Sequence, residues 1–144
     1  MRLRGTSAAD AQDNPYGEGD PALAMLVAAA ARNDGELGVT LTVPGGVVTG
    51  LLIGVNRYWR EYEAAGRSAG DEMSGMMRGF FTLPDKGEDE EEMPGLVWRH
   101  IHLRDARFVT GGVESPANGM LWRGRLGHVS GWSIGVMRAQ IPDA

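Results

Sequence analysis

The chain has 144 residues, a formal charge of −5, 42% hydrophobic and 23% charged residues, proportions that suit one globular domain with a single core. It has no cysteine, which excludes a disulfide framework and a thiolate metal site and permits a reducing cytoplasm. Its longest apolar stretch, residues 21–31, is far short of a membrane span, and its acidic balance argues against general binding of nucleic acid, which requires Lys and Arg to neutralise phosphates.

Residues 1–19 are rich in Gly, Ser, Asp, Asn and Pro and are expected to form a flexible tail. Arg2 and Arg4 are followed by Ser, Ala, Asp and Asn, which do not make the apolar core of a signal peptide. Asp20 is placed to cap a helix with Pro21 at its first position, continuing through Ala22 to Arg32 with Leu23, Leu26 and Val27 on one face. Asn33-Asp34-Gly35 supplies the stop. Val39 to Val43 alternates as a strand, and Pro44-Gly45-Gly46 turns it into a second strand, Val47 to Val55, as a hairpin. Gly50 and Gly54 predict strong twist or a bulge there.

From Asn56 a helix begins. Tyr58, Tyr62, Ala65, Ala69, Met73, Met76 and Phe80 recur at three- and four-residue steps as one apolar stripe, and glycines predict a break between Gly66 and Gly70. The Met-rich end, Met73 to Met77 with Phe80 and Phe81, has two readings: thioethers that fill gaps in a core, or an adaptable surface for a partner. Residues 83–95 are Pro, Gly and acid, a composition that predicts a disordered loop.

The last third alternates strictly. In His100-Ile101-His102-Leu103-Arg104, Ile101 and Leu103 fall on one face and His100, His102 and Arg104 on the other. Met120, Trp122 and Leu126 lie opposite Arg123 and Arg125, and Gly131 to Val136 is a final strand with Trp132, Ile134 and Val136 expected on its inner face. The predicted fold is α+β: a small, strongly curved five-stranded, mostly antiparallel sheet or partial barrel, with an N-terminal helix and a helical insertion after the second strand. The domain is expected to run from 20 to 138, with a C-terminal tail at 139–144.

Charge is polarised along the chain. Residues 85–92 hold six acids and one lysine, whereas residues 96–144 hold six arginines against three acids. The acidic residues Asp85, Glu88, Asp89, Glu90, Glu91 and Glu92 have two readings, a solvated loop or a partner for the arginine face of Arg104, Arg123 and Arg125 in self-association. Trp98, beside that loop, is either core or a partner contact; Met76 and Met77 join it as candidate apolar contacts.

Matches to catalytic patterns do not hold. Gly131-Trp132-Ser133-Ile134-Gly135 fits the nucleophile-elbow pattern, but all three histidines lie upstream and only eleven residues follow Ser133. His100, His102 and His128 lack a carboxylate to complete a metal site. Gly17-Glu18-Gly19 mimics a dinucleotide loop, with no strand before it and acids that repel a pyrophosphate. No catalytic residue, metal or cofactor is expected.

The order of pieces resembles the gas-vesicle accessory protein U family. The resemblance is carried by the strand pair from Val39 to Val55, the aromatic helix with Tyr58, Trp59 and Tyr62, a variable acidic linker, His100 to Ala106, Ser115-Pro116, Leu121-Trp122-Arg123-Gly124-Arg125, and Val129 to Gly135. It implies a cytoplasmic, non-enzymatic protein that associates with gas vesicles, their shell protein or other gas-vesicle proteins and influences assembly or clustering, with self-association into a homo-oligomer, or condensation, as the means. The alternative from the residues themselves is a small Sm-like or OB-like RNA-binding module using Arg123, Arg125, His100 and Trp98.

Overall fold

In chain order, helix α1 (Pro21–Asn33) leads into β1 (Leu37–Val43) and β2 (Gly46–Ile53), then α2 (Val55–Ser68) and α3 (Asp71–Phe80), then β3 (His100–Thr110), β4 (Val113–Arg125), a 3-10 turn (Leu126–His128) and β5 (Gly131–Ile134). These come from a computed structural model that describes residues 19–68, 70–80 and 99–138. The expected tail up to residue 18, the acidic loop, Trp98 and the tail from 139 lie outside the described residues. The strands form one antiparallel sheet in the order β4-β3-β2-β1-β5. β4 and β5 are its two edges, so the curved sheet stays open rather than closing into a barrel.

Local chemistry explains the elements. The Asp20 carboxylate accepts from the amides of Ala22 (2.8 Å) and Leu23 (3.4 Å) and so starts α1, Pro21 has no amide to satisfy, and Asp34 in the left-handed region (φ 50°) ends it. The hairpin pairs Val43 with Gly46, leaving Pro44-Gly45 as its loop, where Gly45 takes φ 93°. The long apolar stripe is divided as its glycines predict: α2 ends at Ser68, Gly70 turns the chain with φ 117°, and α3 restarts at Asp71.

One face of the sheet is the core. Val39, Leu41, Val48, Leu52, Ile101, Leu103, Ala106 and Leu126 meet Leu23, Ala24 and Val27 of α1 in one cluster, against which Trp122 and Trp132 pack at the rim. Each large aliphatic side chain buried there contributes about 1.5–3 kcal/mol relative to exposure. The alternation expected for β3 is present on that face. Ile134 stands on the expected side, opposite Val39, yet is 63% exposed, as β5 is a four-residue edge strand.

Between Leu103 and Arg107, β3 carries one residue more than the neighbour on either side, and further along, Ala106 pairs with Met120 but Phe108 with Ser115, where β4 carries the extra residues. Thr49 pairs with Arg107 but Leu51 with Arg104, and on the other side Leu103 pairs with Trp122 but Ala106 with Met120. The extra residue of β3 falls at Asp105, with φ 48°. Glycines flank it on both sides: a Cβ on Gly50 would stand 2.9 Å from the Arg104 carbonyl oxygen, and one on Gly119 would stand 2.8 Å from the Asp105 Cα. The irregularity read from Gly50 is real, with the extra residue on the strand beside it.

Candidate interaction face

The second sheet face carries the polar set. Along β3, His100, His102 and Arg104 point away from the core, and the register places Arg125 opposite His100 and Arg123 opposite His102 on β4. Helix α2 lies across this face, entered directly from β2 through Gly54. Only a glycine fits there, since a Cβ would come within 2.8 Å of the Ala31 Cα. Tyr58 is thereby buried at 4% exposure, its ring 4.7 Å from that of His102 and 5.0 Å, edge-on, from that of Trp59. Tyr62 completes the cluster at 5.7 Å from Tyr58.

Arg123 is held by this cluster. Its guanidinium carbon lies 5.2 Å over the Trp59 ring, a cation–π arrangement, and its Nη1 donates to His102 Nε2 at 3.1 Å. A guanidinium has donors alone, so Nε2 must accept and the imidazole is neutral. Burial, then the charge of Arg123 and the neighbouring His100, push the His102 pKa down to about 3. His100 is pushed down by the same causes, burial first and then Arg123, Arg125 and Arg99. Arg99, Arg123 and Arg125 are all exposed, and among the described residues no carboxylate forms an ion pair with any of them.

Arg104, on the same strand face, has a different environment. Its Nη1 reaches Glu36 Oε1 at 2.8 Å and its Nε reaches Glu61 Oε1 at 3.2 Å, while Arg57 pairs with Glu36 and lies 3.9 Å from Glu61. Burial raises the Glu36 pKa, but hydrogen bonds from Arg57 and Arg104 outweigh it and hold the carboxyl below its ordinary value. The network joins α2 and β3 to the residue just before β1.

The three candidate arginines therefore divide into one paired to carboxylates, Arg104, and an exposed pair, Arg123 and Arg125. Met76 on α3 is 52% exposed, with Met73 at 47% beside it; the side chain of Met77, like Trp98 and the acids from Asp85 to Glu92, lies outside the described residues. The glycine and serine of the Gly131 to Gly135 match sit on the β5 edge, with Ser133 exposed opposite Thr40. Among the described residues no three His, Asp or Glu side chains gather to hold a metal ion, and no helix is long and apolar enough to cross a membrane. The burial of His102 beneath Tyr58 escaped the sequence reading; Trp59 and Tyr62 at one helical turn were the available sign of an aromatic lid over the histidine strand.

The family model described as gas vesicle protein GvpU-like matches residues 20–137. The chain belongs to this family. No curated protein and no solved structure matches it. The matched span of this GvpU-like protein runs from the capping residue Asp20 to the segment that follows β5, and so takes in every element described above. That last segment returns over the second face: Gly135 N donates to the Gly38 carbonyl (2.7 Å), Thr40 Oγ1 to the Gly135 carbonyl (2.8 Å), and Met137 N to Thr49 Oγ1 (2.9 Å).

Proposed function

We propose that this GvpU-like protein is a non-enzymatic accessory protein, located with gas vesicles in the cytoplasm, that contacts the vesicle shell or other vesicle proteins and promotes clustering by self-association. The observation that carries this reading is the group of Arg99, Arg123 and Arg125 around His100, exposed together with no carboxylate paired to them among the described residues. Such a group favours an acidic partner. The chain carries one in its own sequence, the six acids of residues 85–92. Contacts of that kind between copies are weak singly, gain strength by multivalency and are screened by salt. Met73 and Met76 add exposed apolar area on α3.

The test is light scattering of the purified protein across salt, with and without isolated vesicles. Large assemblies that dissolve as salt rises, and co-sedimentation with vesicles, are expected. Replacing residues 85–92 by a neutral Gly/Ser linker should remove the salt response; an unchanged oligomer size and salt response would refute the charge-pairing mechanism. A single-stranded RNA reading needs open rings for bases to stack on. That reading rests on Trp98 beside His100, Arg123 and Arg125, and Trp98 lies outside the described residues; a gel shift at low and moderate salt separates the two.

A further inference from the structure

β4 is an edge of the sheet, with β3 as its strand neighbour among the described residues. Its first half is irregular: Pro116 has no N–H to offer, Gly119 takes φ 72°, and the residues between Ser115 and Met120 outnumber those opposite them on β3. The second half is regular, Trp122 to Arg125 pairing one for one with Leu103 to His100. In an antiparallel ladder every second residue turns its N–H and C=O away from the partner strand. Met120 to Arg125 therefore presents a row of backbone donors and acceptors along the open edge.

Charge decides what can pair there. Arg123 and Arg125 stand two positions apart on one face of this stretch, both exposed, and His102 and Trp59 hold the first of them in place. Pairing this edge with the same edge of another copy would bring arginines of both copies together, which opposes it. An acidic strand has the reverse effect. Side chains on one face of a strand recur every second residue, the pitch of Arg123 and Arg125, and directly opposite residues in an antiparallel pair stand about 4.5–5.5 Å apart, within reach of an ion pair. In residues 88–92 of this chain, Glu88, Glu90 and Glu92 have that pitch, and the segment fully extended spans about 17 Å, short enough for the stretch from Met120 to Arg125.

We propose that residues 88–92 of a second copy add to the Met120–Arg125 edge as a further antiparallel strand, with alternate glutamates facing Arg123 and Arg125. The inference rests on the self-association reading above and gives its charge contact a geometry: backbone hydrogen bonds along β4 supply affinity, and the arginine pair selects an acidic strand.

The experiment is an amide NMR titration of the full chain carrying the Gly/Ser replacement at residues 85–92. The titrants are a capped synthetic peptide of the native residues 85–92 and the same peptide methylated at the backbone nitrogens of residues 88–92. Saturable shifts and slowed hydrogen exchange at every second amide from Met120 to Arg125 are expected with the first peptide, weakened about tenfold or more when Arg123→Glu and Arg125→Glu are combined. Both effects should be lost with the methylated peptide, which keeps every charge and loses the backbone donors. Equal behaviour of the two peptides, bound or unbound, overturns the proposal and leaves the self-association reading intact, as does binding without protection on β4. In wild type the same protection should rise with protein concentration; protection that does not change with concentration places the segment on the edge of its own chain and overturns the exchange between copies. Failure of the self-association reading shows separately, as wild-type protein that stays monomeric in light scattering at every salt, and this proposal then falls with it.

Discussion

Trp132 donates its indole N–H to Asp20 Oδ2 at 3.2 Å, while Asp20 Oδ1 caps α1. One carboxylate thus starts the first helix and fastens it to the last strand, 112 residues away in sequence. The hydrogen bond from Trp132, followed by that from Ala22, holds the Asp20 pKa below its ordinary value. Its contribution to stability is therefore present above pH 3.8 and is lost as pH falls through the lower folded-state value. Asp20→Ala should lower the thermal midpoint at neutral pH more than Trp132→Phe does. The two effects should be less than additive in the double variant, since either change breaks the same bond. Full additivity in the melting series would show that the two residues act separately.

His102 gives the acid limb a second component. The unfolded chain takes up a proton there near pH 6.5, whereas the folded protein keeps the ring neutral down to about 3. Between those values the unfolded state binds more protons, so stability falls as pH falls, by up to about 1.4 kcal/mol per pH unit from this group. Urea unfolding of wild type and His102→Gln across that window should show a shallower pH slope in the variant, and equal slopes would mean that His102 titrates normally in the fold.

The bulge should tolerate no side chain on either flank. Gly119→Ala puts a Cβ 2.8 Å from the Asp105 Cα at φ 72°, and Gly50→Ala one 2.9 Å from a carbonyl oxygen. Each should cost about 1–3 kcal/mol in urea unfolding, whereas Gly111→Ala, strained by its φ of 56° but facing open space, should cost less than Gly119→Ala.

Burial sets a further contrast. Leu103 is fully buried and Leu103→Ala should cost about 2–5 kcal/mol. Ile134→Ser, at a site 63% exposed, should stay within about 0.5 kcal/mol. A large loss at Ile134, read by the same denaturation curves, would mean that β5 is covered in solution, as by a second copy.

What was legible in the sequence was local. Asp20-Pro21 announced a helix start, Pro44-Gly45-Gly46 a hairpin, Gly66 to Gly70 a break, and alternation placed Ile101 and Leu103 opposite His102 and Arg104. Each of these signals is carried by chemistry within a few residues. What stayed hidden depends on residues distant in sequence: Glu36 meeting Arg104 across 68 positions, or Tyr58 closing over His102. The exposure of Ile134 stayed hidden because period two tells which side of a strand a residue faces, and cannot tell whether anything stands on that side. The site divided for the same reason. Arg104 and Arg123 look alike in the alternation, and differ because acids from β1's approach and α2 reach the first and not the second.

A carboxylate beneath Arg123 would have anchored it and cancelled its charge at once. The imidazole of His102 anchors without cancelling: it fixes the fork against Trp59 and passes the whole positive charge outward to whatever approaches. A neutral base under an arginine is a way to hold a cation still and keep it hungry.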